Sequence, residues 1–312
     1  MLAKNLYWSH IYTMRQCPQK YLWSYGHPDY DLGNGKGKRK PLPSESERSS
    51  EHNKLMGSVL SKVVEDLYNK NLWKTLNKSE LAVKLAEIAR EEFYRLEKKM
   101  YCLWTYLTRE DALKICEDGA RNFIHIMIDN RLLGKENKSE LRMSPNVNKY
   151  VNVCGIADLV FKNDEGWHIY DGKNAMTPMK YESNDQLIWY ALCFYLQYGE
   201  MPKSLGFFYF RYPQSIPPEK SECDLENWKG VVKVDFVMDD LKRLAKEAVE
   251  TSKAIKYGQF EANPVPKQCN FCDYQFVCPE RVAQKEANAS KRKRKPKREV
   301  PTAEKGFKKV TF

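Results

Sequence analysis

Two stretches of β-forming residues separated by a turn fix the centre of this chain. Tyr150-Val151-Asn152-Val153-Cys154 and Ala157-Asp158-Leu159-Val160-Phe161 are rich in β-branched and aromatic side chains, and Trp167-His168-Ile169-Tyr170-Asp171 resumes the pattern after Asn163-Asp164-Glu165-Gly166. That composition predicts an antiparallel hairpin. Its first arm carries Gly155-Ile156-Ala157-Asp158 and its second ends in Asp171-Gly172-Lys173. Side chains alternate along a strand, so Asp171 and Lys173 share a face. Two carboxylates from adjacent strands with an ammonium beside them suit metal-dependent phosphodiester hydrolysis: hard oxygen ligands hold Mg²⁺ or Mn²⁺, and the ammonium orients water.

Asp-Gly-Lys is also ordinary turn chemistry, so the residues after it decide how it is read. Residues 181–197 read as an amphipathic helix that sets Gln186 and Tyr190 on one face, directly after the acids. Upstream, residues 57–68, 80–101 and 109–132 have helical apolar spacing. Downstream, residues 205–212 and 231–237 read as strands and 239–257 as a helix. This order predicts an α/β fold around one core, for which 42% hydrophobic and 12% aromatic content suffices.

The order Gly-x-x-Asp, Asp-x-Lys, Gln-x-x-x-Tyr, carried by Gly155, Asp158, Asp171, Lys173, Gln186 and Tyr190, resembles the PD-(D/E)XK nuclease superfamily. Within it the chain is most similar to the RecB-like branch, which includes the AddB nuclease module and the CRISPR-associated iron-sulfur exonucleases. Ala157 stands where the superfamily name puts proline. The resemblance implies a restriction-endonuclease-like core with a mixed central sheet, an N-terminal helical insertion and a C-terminal cysteine-cluster region. It implies that Asp158, Asp171 and the Gly172 carbonyl bind metal, that Lys173 positions the attacking water, and that Gln186 and Tyr190 contact DNA or brace the site. The branch also carries a glycine, a histidine four residues on and a glutamate four beyond. Gly57 and Glu65 match, but Ser61 stands at the histidine position, and a hydroxyl does not replace imidazole as a metal ligand. Glu140 falls where some relatives hold a further acid, yet in its polar setting it reads as a surface residue.

Of nine cysteines, three lie in Cys269-Asn270-Phe271-Cys272 and Cys278-Pro279, and Cys17-Pro18 lies near the N-terminus. The resemblance makes Cys17 the fourth ligand of the set. Four thiolates bind either a [4Fe-4S] cluster or a structural Zn²⁺, and these spacings suit both. The resemblance implies the iron-sulfur cluster. Either centre would clasp segments roughly 250 residues apart. Cys102, Cys116, Cys154, Cys193 and Cys223 read as buried free thiols.

Residues 284–312 hold 11 Lys and Arg against 3 acids, which is +8 of the chain's net +11. Without apolar periodicity, this segment predicts a disordered basic tail that binds phosphate backbones without reading sequence. The expected organisation is a nuclease domain over 1–283, with a flexible loop at about 31–53, and the tail beyond it. DNA with free or single-stranded ends is the expected partner, and Gly306 to Phe312 reads as a docking peptide for a replication or recombination protein. No apolar run of about 18 residues predicts a membrane span, and no apolar N-terminal segment predicts export. A reducing cytosol, bacterial or that of a virus-infected host, is the expected setting. These readings converge on a Mg²⁺- or Mn²⁺-dependent DNA exonuclease. Ser61 leaves open the alternative of a catalytically decayed nucleic-acid-binding or structural protein.

Overall fold

The computed structural model describes residues 5–41, 51–104, 107–175, 185–213, 229–270 and 272–283. The basic tail, the peptide ending at Phe312, Cys223, residues 42–50 of the expected loop and residues 181–184 of the expected helix lie outside these.

The predicted hairpin forms as β4 (Val151–Asn163) and β5 (Gly166–Lys173). The Asn163 side chain accepts the Glu165 N–H at the turn, and Gly166 takes φ +131°. Gly155 and Ile156 do not divide the first arm, because both pair with β2 (Glu136–Met143), a polar strand that the residue pattern does not announce. The sheet is completed by β1 (Asn5–Tyr7), β3 (Asn146–Asn148), β6 (Ser204–Tyr209) and β7 (Val231–Val234), in the order β1-β4-β5-β6-β7 with β2 and β3 on β4. β1 and β4 run parallel, as do β5 and β6, and the other pairs are antiparallel. Parallel neighbours need a crossover, and between β5 and β6 it contains α7 (Asp185–Tyr198).

Helices cover both faces of the sheet. On one, α1 (Trp8–Gln16), α2 (Pro18–Tyr25), α7 and α8 (Met238–Lys256) pack Ile11, Leu22, Trp189 and Leu244 against Val153, Val160, Ile169 and Phe207. On the other, α3 (His52–Asn69), α5 (Lys78–Glu97) and α6 (Arg109–Asp129) pack Leu60, Leu85 and Phe123 against Leu159, Phe161 and Phe208. The helices expected as an insertion are therefore the second layer of the fold. Two short helices, α4 (Leu72–Thr75) and α9 (Pro266–Cys269), serve as connections.

Two of the boundaries that shift have a clear local reason. The Asn77 carboxamide accepts from Ser79 and Glu80 N–H while Glu80 returns to the Asn77 N–H, a capping box that starts α5 at Lys78. The segment at 31–53 is not loop throughout: Asp31 Oδ1 accepts the Gly33 and Gly35 N–H groups, and α3 already includes His52 and Asn53. Among the described residues no helix is long and apolar enough to cross a membrane.

Candidate active site

The β4–β5 ladder runs from Asn163 opposite Gly166 to Leu159 opposite Tyr170 and then stops. The next pair would be Asp158 and Asp171. Here Asp158 Oδ2 accepts the Gly172 N–H at 2.9 Å, while β5 continues along β6 as far as Lys173 opposite Tyr209. The Asp-Gly-Lys triplet is thus strand rather than turn. Its glycine answers a close approach: a Cβ at Gly172 would fall 2.7 Å from Phe210 Cε2 and 2.9 Å from Phe208 Cε2.

Asp171 is buried, and the Lys173 Nζ lies 2.5 Å from its Oδ2. Gln186, from the first turn of α7, accepts from Lys173 Nζ at 2.9 Å and donates to Asp171 Oδ1 at 3.2 Å and to Tyr190 Oη at 2.9 Å. One amide therefore fixes the relative placement of acid, ammonium and phenol. Its helix sits close because β4 offers no side chain at Gly155, where a Cβ would be 3.1 Å from Tyr190 Cδ1, and because Trp189 Nε1 donates to the Cys154 carbonyl at 2.9 Å.

Burial and then the Asp171 charge push the Asp158 carboxyl well above the usual carboxylate range, against the Gly172 N–H. Burial raises Asp171 as well, against the Lys173 charge. Burial, with Asp171 next, pushes the Tyr190 phenol well up, so it stays protonated. A cation bound between two neighbouring buried carboxyls would favour their ionised forms.

Asp185 pins the start of α7 from outside the site. It receives Arg243 Nη2 at 2.6 Å and lies 2.7 Å from Arg15 Nη1. Burial alone would raise its carboxyl, but Arg243 and Arg15 outweigh this and hold it below the usual range. This stability is present above the unfolded pKa of about 3.9 and is lost as pH falls through the lower folded value. With both arginines partly exposed, Asp185→Ala should cost about 1–3 kcal/mol, read as a fall in urea midpoint at pH 7 that shrinks toward pH 3. An equal loss at both pH values would contradict the ion-pair account.

A family model described as the PD-(D/E)XK nuclease superfamily matches residues 8–279. The chain belongs to that superfamily. No curated protein matches the sequence. Among solved structures, "Crystal structure of SSO0001" is similar at 12% identity over 74% of this chain and 97% of its own, with a TM-score of 0.32, too low to carry an argument.

The PD-(D/E)XK hairpin has two further acids beside it. Glu65, on α3, is joined to Lys62 at 3.0 Å and shares an open recess with Gly57, Ser61 and Glu140. Glu140 lies in β2 between Ser139, opposite Leu159, and Leu141, opposite Ala157, so the register sets it across from Asp158. Its φ of +52° is the left-handed region, unusual for a glutamate inside a strand. Burial and then the Glu65 charge raise its carboxyl. Glu140 is therefore half-buried beside the other acids rather than a fully exposed surface residue. The pattern of the sequence misses it because only the pairing of β2 with β4 reveals it.

Among the described residues no three His, Cys, Asp or Glu side chains stand in metal-ligating geometry. The donor chemistry of the acids nevertheless fits a hard divalent cation. Asp171 Oδ2 is sealed from solvent and, apart from the Lys173 charge, makes no hydrogen bond of normal geometry.

Cys17, Cys269, Cys272 and Cys278 line a single recess with Gln19, Trp23 and Arg281. Cys17 Sγ accepts the Asn263 N–H at 3.4 Å, and Cys278 Sγ donates to Glu280 Oε2 at 3.3 Å. Burial raises the Cys272 thiol and pushes Cys278 up to about 11. The four cysteines thus share one recess, but among the described residues no three of them stand in metal-ligating geometry. Of the other cysteines, Cys116, Cys154 and Cys193 are buried free thiols as expected, whereas Cys102 is only half-buried.

Proposed function

We propose that this chain is a RecB-like, metal-dependent DNA nuclease, an exonuclease on single-stranded ends in recombination, repair or replication, akin to AddB and the CRISPR-associated iron-sulfur exonucleases. The observation that carries the reading is the meeting of Asp158, Asp171 and Lys173 where the β4–β5 ladder ends, with Gln186 joined to both Asp171 and Lys173. Asp158 and Asp171, with the Gly172 carbonyl, would hold Mg²⁺ or Mn²⁺, and Glu65 and Glu140, which line a neighbouring recess, would be the acids to extend the set. Bound there, the metal would polarise the scissile phosphate and acidify a water. Lys173 Nζ, held by Gln186, orients that water for in-line attack, and Tyr190 supports the Gln186 amide. The four cysteines would carry a [4Fe-4S] cluster, or Zn²⁺ in its place, clasping the two ends of a domain over 1–283. The basic 284–312 tail would retain DNA and present a docking peptide to a replication or recombination protein in the cytoplasm.

Labelled single- and double-stranded DNA incubated with Mg²⁺ or Mn²⁺ tests the reading. Wild type should cut, with progressive loss of terminal nucleotides from single strands, and Asp171→Ala and Lys173→Ala should not. If all three are equally inert, the alternative prompted by Ser61, a decayed nucleic-acid-binding or structural protein, holds instead. The pH profile supplies a second check. Asp158 and Asp171 must ionise to bind metal and burial opposes this, so activity should rise with pH. Its half-maximum should move to lower pH as Mn²⁺ is increased, because metal and protons compete for the same oxygens. A half-maximum indifferent to Mn²⁺ would argue against these ligands.

A further inference from the structure

Beside the acids the sheet carries an aromatic ring and a cation that the chemistry above does not use. In β2–β4, Arg142 stands opposite Ile156, two residues along each strand from the Glu140 and Asp158 position. In β1–β4, Tyr7 stands opposite Cys154, two residues beyond Ile156 and four from Asp158 on the same strand. Directly opposed residues share a face, as do residues two apart on a strand, so Ile156 and Arg142 continue the face that bears Asp158 and Glu140. Tyr7, Arg142, Ser144 and Ile156 line one recess there.

Both side chains are available. Tyr7 is 40% exposed and its ring is set edge-on against His10, with centroids 5.6 Å apart. Arg142 is exposed, and among the described residues it has no hydrogen-bond or ion-pair partner. Its charge nevertheless reaches Glu140, whose ionised form it favours. An exposed phenol ring beside an uncommitted guanidinium matches a nucleotide, with the ring taking a base and the guanidinium the adjoining phosphate. Stacking requires a base face that is not already covered, which a duplex does not offer except at its end.

We propose that Tyr7 and Arg142 form a stacking-and-phosphate subsite for the nucleotide next to the scissile bond, and that this subsite selects single strands. The inference rests on the nuclease reading above for the position of the scissile bond. The ring accepts any base, so the subsite discriminates strand state and not sequence.

The test is fluorescence anisotropy with the full chain, a labelled single-stranded DNA oligonucleotide and a labelled covalently closed circular duplex containing the same sequence, which has no terminal base face, with Ca²⁺ in place of Mg²⁺. A salt concentration of about 0.2 M suppresses sequence-independent binding by basic segments. Tyr7→Leu and Arg142→Gln should each weaken single-strand binding about tenfold, and Tyr7→Phe, which keeps the ring, should stay within about twofold of wild type. Duplex affinity should be little changed by any of them. The proposal is overturned if single-strand affinity is unchanged in Tyr7→Leu and Arg142→Gln, if Tyr7→Phe loses as much as Tyr7→Leu, or if single-strand and duplex binding fall together. Its failure is distinct from that of the nuclease reading. A wild-type chain that cuts while Tyr7→Leu and Arg142→Gln bind normally sinks the subsite alone. A chain that never cuts but loses single-strand binding in these variants sinks the nuclease reading and leaves the binding site standing.

Discussion

Asp171→Asn should eliminate cleavage and at the same time leave the metal-free protein at least as stable as wild type near pH 8. The two halves of this result come from the same burial. Asp171 is 3% exposed and its carboxyl is raised above the usual range, so its ionised form is unfavourable in the metal-free fold. A neutral isostere relieves that cost while removing a hard oxygen ligand. Lys173→Ala should reduce cleavage by roughly 10²–10⁴-fold, the range for a group that places or activates the attacking water. It should destabilise the fold, because it leaves the buried Asp171 without its cation 2.5 Å away. Single-turnover cleavage and metal-free thermal midpoints, measured on the same preparations, check both. If activity and midpoint fell together in Asp171→Asn, the loss would be one of folding, and this carboxylate would not have the assigned role.

The acids were legible in sequence because the strands that carry them are apolar enough to announce themselves. Val151 to Phe161 and Trp167 to Asp171 have partners on both faces of the sheet, and buried strands read as β-branched and aromatic runs. Glu136 to Met143 does not, since β2 is mostly polar and only Ser139 and Met143 of it are buried. With β2 unseen, Glu140 has no register and looks like any surface acid. The strand expected over 205–212 stops at Tyr209 because β5, its partner, has its last pair at Lys173 opposite Tyr209. Propensity continues through Phe210, but the ladder does not. The helix presenting Gln186 is legible in its described part because Leu187 to Phe194 form an unbroken apolar run, but that run is buried on every side, so the helix is not amphipathic as the sequence suggests. Helices α1 and α2 flank Cys17 and were not anticipated. Their 9 and 8 residues are too few for apolar spacing to stand out; α1 is held by packing on α7 and α8, and α2 by packing on α1, Phe260 and Tyr274, rather than by their own propensity. Ser61 lines the recess shared by Glu65 and Glu140, so this position is bordered by two carboxylates. These offer the oxygen donors that a serine cannot supply as strongly.

On the proposal that the four cysteines hold a metal centre, Cys272→Ser should release it and lower the thermal midpoint by about 10 °C, because a ligand bond here would close a very long chain segment. Cys17 sits between α1 and α2, whereas Cys269, Cys272 and Cys278 come from the far end of the domain. Apart from the sulfurs, this junction is joined by few polar contacts, Tyr274 Oη to the Trp23 carbonyl at 3.2 Å and Gln19 to Glu280 at 3.4 Å among them. A cross-link over more than 100 residues restricts the unfolded chain by an amount worth about 4–5 kcal/mol. At this size each kcal/mol corresponds to about 2–4 °C in midpoint. Cys102→Ser, half-buried and outside the recess, is the matched control and should leave both metal content and midpoint nearly unchanged. Elemental analysis of protein purified without oxygen separates the two possible centres, with iron and a brown absorption near about 400 nm for a cluster or stoichiometric zinc without colour. Because burial holds the Cys272 and Cys278 thiols protonated in the metal-free fold, loading should also release protons, measurable in weakly buffered solution. Cys272→Ser protein that retained a full complement of metal and an unchanged midpoint would show that the recess holds four ordinary thiols, and that packing alone joins the two ends of the domain.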